Sequence, residues 1–245
     1  MHPPLVAVLF FVMVLLGGPR VGQGQARDTL GGFCEDPARR TRTIDTRGLG
    51  AVYCASSPLL VTPLQAAHAS ARPVFFGAVP AAWGGALIAG EKHAYADAFR
   101  LTVSQGATYG VVLALKHAVG RPRPYVRPAI VSRSSHYATG SESAAFTSFP
   151  SGHASVSATL VTSWSLSHPR WYVIGPGAVW ATAVSLSRLH LGVHYPSDVL
   201  VGAGIGVGMA FLVHHLRGTL TPDVIRADAR NGLHAPPPIT LQFRF

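Results

Sequence analysis

The chain has 245 residues, of which 48% are hydrophobic and only 12% charged, and its mean hydropathy is +0.29. High hydrophobicity with little charge excludes intrinsic disorder, and a charged share well under the usual ~25% disfavours an ordinary cytosolic domain. The net charge of +10 calls for an anionic partner (nucleic acid, a lipid headgroup or a phosphorylated small molecule), while two cysteines are too few for a four-ligand zinc site.

Residues 5–16 form an apolar run ended by Gly17, Gly18 and Pro19. A bilayer span takes ~20 residues, so this run reads as the core of a secretory signal peptide covering residues 1–26. Gly24 and Ala26 supply the small residues before a cleavage point, and an uncleaved anchor is the alternative. Residues 27–57 are polar and read as an extended exported segment. Export favours a Cys34–Cys54 disulfide over two free thiols, because such bonds persist in oxidising compartments.

The remaining chain predicts five helices. Pro58, Pro63, Pro73 and Pro80 punctuate the first part, so helix is expected only from residue 73 to 90, followed by a polar break over 91–100. Apolar segments follow at 101–119, 154–167, 171–187 and 199–216, with a Ser-rich loop over 132–149. The loop is a candidate lid or a plain linker. The short breaks predict an all-α, antiparallel bundle of five to six helices over residues 58–218, membrane-embedded or else buried in a soluble periplasmic protein. Residues 219–245 form a tail with one alternating stretch that a lone strand does not explain.

Acidic residues nearly vanish in the middle of the chain. Between Asp97 and Asp198 there is only Glu142, whereas Lys116, Arg121, Arg123, Arg127, Arg133 and Arg188 all fall there. One-signed charge inside an apolar protein is an anion-site signal. Placed at helix ends rather than along an exposed face, it argues against nucleic acid.

Three segments sharpen that signal. The first, KHAVGRPRP, begins at Lys116. Lys116 occupies a last helical turn, and Gly120 and Pro122 let the chain curl back so that Arg123 approaches it. An Arg fork and a Lys point charge together suit phosphate oxygens. The second, FPSGHAS, begins at Phe149. Pro150, Ser151 as cap and Gly152 open a helix, whose free N–H groups favour an anion with His153 at its rim. The third, SRLHLGVHYPSD, begins at Ser187. Arg188 closes one helix and Asp198 opens the next. Asp198 is placed to accept a hydrogen bond from one ring nitrogen of His194, leaving the other nucleophilic. His190 shares the turn without a matching carboxylate and reads as structural or as a support behind the site, His117 and His136 as lining or surface residues, and His214 and His215 as headgroup or solvent contacts. In an up-down bundle the four helix ends bearing these motifs share one face.

In this order the motifs K-x6-R-P, P-S-G-H and S-R-x5-H-x3-D resemble the type 2 phosphatidic acid phosphatase superfamily, which also holds class A acid phosphatases and vanadium haloperoxidases. The resemblance covers about residues 73–216. It implies that His194 attacks phosphorus and forms a phosphohistidine, that Asp198 orients it, and that His153 protonates the leaving oxygen and then activates water. It further implies that Lys116, Arg123, Arg188, Ser151 and the Gly152 N–H hold the phosphate oxygens, with no metal or other cofactor. His194 must begin neutral and His153 protonated, which predicts a bell-shaped pH profile. The expected substrate is a phosphorylated lipid or a small phosphate ester, handled at the inner membrane by a site facing the periplasm. A soluble periplasmic acid phosphatase, a vanadate-dependent haloperoxidase and an idle anion-binding protein are the rivals.

Overall fold

The computed structural model describes residues 31–36, 38, 42–127, 129–134 and 142–226. The signal-peptide reading of residues 1–26, His136, and most of the C-terminal tail lie outside the described residues. Within them all regular structure is helical. The long elements are α1 (Ile44–Tyr53), α2 (Pro58–Ala89), α3 (Lys92–Val119), α4 (Gly152–Ser167), α5 (Trp171–His190) and α6 (Pro196–His215). Single helical turns occur at Gly31–Cys34 and Arg217–Leu220, and short 3-10 turns at Pro124–Val126 and Glu142–Phe146.

Two boundaries differ from the expectation, and both differences trace to proline and charge. Helix α2 starts fifteen residues before the expected position and runs through Pro63, Pro73 and Pro80. Each proline removes one intrahelical hydrogen bond, but Leu64, Ala67, Ala71, Val74 and Ala78 recur every three or four residues and bury one continuous face. The polar stretch over 91–100 is not a break. Only Gly90, in the left-handed conformation, and Glu91 interrupt the chain, because Asp97 and Arg100 pair one helical turn apart on α3.

The segment expected to be extended also contains helix. Thr43 and Thr46 cap α1 reciprocally: Thr46 N–H donates to Thr43 Oγ1 (3.1 Å) and Thr43 N–H to Thr46 Oγ1 (2.8 Å). Cys54, just past α1, is disulfide-bonded to Cys34. The bridge brings Phe33 edge-on to Tyr53 in a core that also takes in Leu49, Ile130, Leu189 and Tyr195.

Helix α4 is the hub of the bundle, with α3, α5 and α6 around it. Its tightest partner is α6. A Cβ on Gly202 would lie 2.6 Å from Ser151 O, and one on Gly206 would strike Ser155 O. Small residues four apart on α6 therefore let two backbones meet, as in membrane helix pairs. Thr108 and Thr159 hydroxyls, 2.8 Å apart, link α3 to α4 in the same buried layer. This packing brings the C-terminal ends of α3 and α5 and the N-terminal ends of α4 and α6 to one end of the bundle.

Candidate active site

His194 lies in the turn between α5 and α6, 2% exposed. Gly192 shapes that turn with a φ of +69°, and a Cβ there would sit 2.9 Å from the Tyr53 ring. Arg123 Nη1 donates to His194 Nε2 at 3.0 Å. A guanidinium has no acceptor, so Nε2 carries the lone pair and Nδ1 the proton. Nδ1 faces Asp198 Oδ2 at 3.7 Å, longer than a hydrogen bond. The expected His194–Asp198 pairing is thus present in direction but not closed to contact.

Asp198 is fully buried and its oxygens are well occupied. Oδ2 accepts from Tyr195 N–H (2.8 Å) and Ser148 Oγ (2.5 Å), and Oδ1 accepts from Arg121 Nη1 (2.5 Å). Burial depresses the His194 pKa to about 3, helped by the charges of Arg123 and Lys116 and opposed by Asp198. The imidazole is therefore neutral over the physiological range.

Gly120 ends α3 in the left-handed conformation, at a φ of +58°. The chain then returns as expected, so that Lys116 Nζ and Arg123 Nη2 donate to the same oxygen, Thr147 O, at 2.6 and 3.1 Å. Arg123 is further fixed by Ala144 O (2.9 Å) and Val193 O (2.9 Å). The last residues of the Ser-rich loop are therefore threaded through the site by their carbonyls. A recess of about 340 Å³ opens beside Lys116 and is lined by His117, Gly120, Ala144, Phe146 and Thr147.

Ser151 sits at the N-cap of α4, but its side chain makes no capping bond, in contrast to the expectation. Its N–H donates to Asp198 O at 2.9 Å, while its buried Oγ has no hydrogen-bond partner. Gly152 follows, and a Cβ there would stand 3.9 Å from Lys116 Cε. His153 is half-buried, stacked edge-on against Phe75 at 5.5 Å, and within electrostatic reach of Arg188, His194, His68 and Arg72. Arg188, 2% exposed, donates to Ser187 Oγ through Nε (3.0 Å) and Nη2 (2.8 Å), and also to His68 Nδ1 on α2.

All the residues singled out in the three motifs converge on this end of the bundle. His190 turns away, with Arg133 Nη1 3.1 Å from its Nδ1. Three further residues belong to the site, and no motif assigns them a place in it. Arg121 was a cation without an aim; it bridges Asp198 and Asp45. His68 and Ser148 belong to no motif and are placed by tertiary packing alone.

A family model for the PAP2 superfamily matches residues 97–222. The chain belongs to the PAP2 superfamily. Among PAP2 relatives it is 39% identical over 72 residues to an undecaprenyl-diphosphatase of Sulfolobus acidocaldarius, a stretch covering 29% of this chain and 34% of that protein. It is 36% identical over 98 residues to a lipid A 1-phosphatase of Rhizobium etli, covering 38% of each chain. The match thus spans little more than a third of either relative. Two solved structures share the fold. LpxE of Aquifex aeolicus superimposes with a TM-score of 0.55 at 21% identity, over 71% of this chain and 96% of that one. A transmembrane PAP2-type phosphatidylglycerolphosphate phosphatase of Bacillus subtilis gives 0.53 at 20% identity, over 90% and 98%. The PAP2 match begins at Asp97, so α1, α2 and the disulfide lie outside it.

Proposed function

We propose that this chain is a metal-independent phosphatase that hydrolyses a phosphomonoester or diphosphate of a lipid through a phosphohistidine at His194. The observation that carries the reading is the Arg123–His194 contact, which marks Nε2 as the unprotonated nitrogen; an entering phosphoryl oxygen takes the Arg123 donor and frees the Nε2 lone pair. Nε2 attacks phosphorus, the bond to the leaving oxygen breaks, and His153 delivers a proton to that oxygen. His153 then takes a proton from water, whose oxygen displaces Nε2 and releases phosphate. Lys116, Arg123 and Arg188, with Ser151 and the Gly152 N–H, stabilise charge on the phosphoryl oxygens, which is most of what phosphoryl transfer requires.

A lipid substrate is supported by the outer surface. Phe76, Ile88, Trp171, Val179 and Leu200 are each more than two thirds exposed, a display of large apolar side chains that suits lipid rather than water. The names of the relatives point the same way. Orientation is supported by the disulfide. Cys34–Cys54 anchors α1, and α1 packs on the turn bearing His194, so the site and the bridge share one side of the molecule. An oxidising compartment on that side supports a periplasm-facing site in the inner membrane. In this reading residues 58–218 are the catalytic bundle and 27–57 an exported segment attached to its active end.

A soluble periplasmic acid phosphatase is the second reading. It draws on the fact that, among the described residues, only α6 is long and apolar enough to cross a bilayer. The experiment is phosphate release from a panel of lipid and soluble phosphates with chelator present, using protein recovered from membranes and from the osmotic-shock fraction. Release from lipid phosphates by the membrane fraction, acid-labile ³²P on the protein, and loss of both in His194→Ala are the expected results. Chelator sensitivity overturns the metal-free mechanism, and activity confined to the shock fraction selects the soluble form.

A further inference from the structure

We infer that Asp45, on α1 and outside the span matched by the family model, is a positioning residue for the His194–Asp198 pair and acts through Arg121. The inference rests on the phosphatase reading above and adds to it a residue from the exported segment.

The geometry is a shared fork. Arg121 Nη2 donates to Asp45 Oδ2 at 2.7 Å, while Nη1 donates to Asp198 Oδ1 at 2.5 Å and to Ser197 Oγ at 2.7 Å. Asp45 also accepts from Ser197 N–H through Oδ1 (2.9 Å) and from Ser197 Oγ through Oδ2 (2.8 Å). One carboxylate therefore holds both the guanidinium that reaches Asp198 and a free backbone donor in the first turn of α6. Burial alone would raise the Asp45 pKa, but the hydrogen bonds from Arg121 and Ser197 outweigh it and keep the group below its ordinary value.

The rest of α1 is fitted to the same turn. A Cβ on Gly48 would lie 2.8 Å from Pro196 Cγ, and the Tyr53 ring closes over Gly192. Tyr53 Oη donates to Val131 O at 3.0 Å, and Arg121 lies over the Tyr195 ring at 4.4 Å. So α1 touches the 192–198 turn at both ends and in the middle, with Asp45 as its charged contact. An arginine shared between two carboxylates is held in one orientation. Relieved of Asp45, its fork is free to turn wholly onto Asp198. Both oxygens of Asp198 would then be engaged by Arg121, and Oδ2 would be drawn from the side facing His194 Nδ1.

The test compares Asp45→Asn, Asp45→Glu and, as a control on the exposed face of the same helix, Arg47→Ala, all in the full chain. Losing one charge-assisted hydrogen bond predicts a kcat roughly tenfold lower for Asp45→Asn, with KM unchanged. Asp45→Glu keeps the charge and should recover most of the rate, and Arg47→Ala should match wild type. In ¹⁵N spectra of the histidine side chains, Asp45→Asn should move the His194 signals. A kcat within about twofold of wild type overturns the inference, as does a loss that Asp45→Glu fails to recover although it folds. Should Asp45→Asn not fold, Asp45→Glu decides by its kcat and its His194 signals. If the wild-type protein releases phosphate from no ester, the phosphatase reading falls, and the spectra still decide the Asp45 role: unmoved His194 signals overturn it.

Discussion

Gly202 on α6 faces Ser151 on α4 so closely that a single methyl group at residue 202 would lie 2.6 Å from the Ser151 carbonyl oxygen. The contact is at the site itself, since Ser151 N–H is held by Asp198 O. Gly202→Ala should therefore push α4 and α6 apart at their active ends. Overpacking of this kind costs about 1–3 kcal/mol, read as a lower thermal midpoint, and phosphate release should fall by more than the folded fraction does. Gly204→Ala, where an added methyl meets nothing within 4 Å, should leave both measurements unchanged.

The His194 pKa near 3 has a consequence for stability. An unfolded chain binds a proton to this ring near pH 6.5, whereas the native state resists it until about pH 3. The unfolded state therefore binds more protons in this window, and stability must fall as pH drops from 6.5 toward 3. Above pH 6.5 both states are neutral and the contribution is level. His194→Gln, which removes this one titration, should make the dependence of the thermal midpoint on pH between 6.5 and 4 shallower. An unchanged slope would place the destabilising proton on another group. The same shift puts the acid limb of kcat/KM that belongs to His194 well under pH 6.

How much of this was readable beforehand depends on how local each feature is. The bundle was legible because apolar runs and their glycine stops are local, and the end at which the motifs meet follows from alternation of helix direction. The start of α2 was hidden by prolines, whose individual cost is visible in sequence while the burial of Leu64 through Ala78 that offsets it is not. Helix α1 offers no familiar start signal, because its capping box pairs two threonines in place of the usual Ser/Thr with Glu/Gln. In the site, Lys116, Arg123, His153, Arg188, His194 and Asp198 were legible as spaced motifs. Asp45 and Arg121 are 76 residues apart, Arg121 and Asp198 are 77, and His68 and Arg188 are 120. No local pattern records such pairs.

The disulfide yields a prediction separate from the chemistry. Cys34 and Cys54 are 20 residues apart, and closing such a loop is worth ~3 kcal/mol in the chain-entropy model. The Cys34→Ser/Cys54→Ser double variant, or reduction of the native protein, should lower the thermal midpoint. It should also lower kcat, because α1 would be less firmly held against the turn bearing His194. Stability that falls while kcat stays at the wild-type value would show that the bridge serves the exported segment alone.

Arg123 offers the sharpest test of charge against geometry. Its guanidinium donates to Ala144 O, Val193 O, Thr147 O and His194 Nε2 at once, at 2.9 to 3.1 Å. A lysine there keeps the positive charge but has three donors on one nitrogen, so it cannot span carbonyls on both sides of the site. If charge alone mattered, Arg123→Lys would retain most activity. Because the fork also fixes the tautomer of His194, the expected result is a fall in kcat of roughly a hundredfold for Arg123→Lys, close to that for Arg123→Ala. Lys116→Arg, by contrast, keeps the charge at a residue whose ammonium donates to Thr147 O, and should lose less. Steady-state phosphate release for the three variants at one pH checks the order, and an Arg123→Lys protein nearer to wild type than Lys116→Arg would reverse the argument.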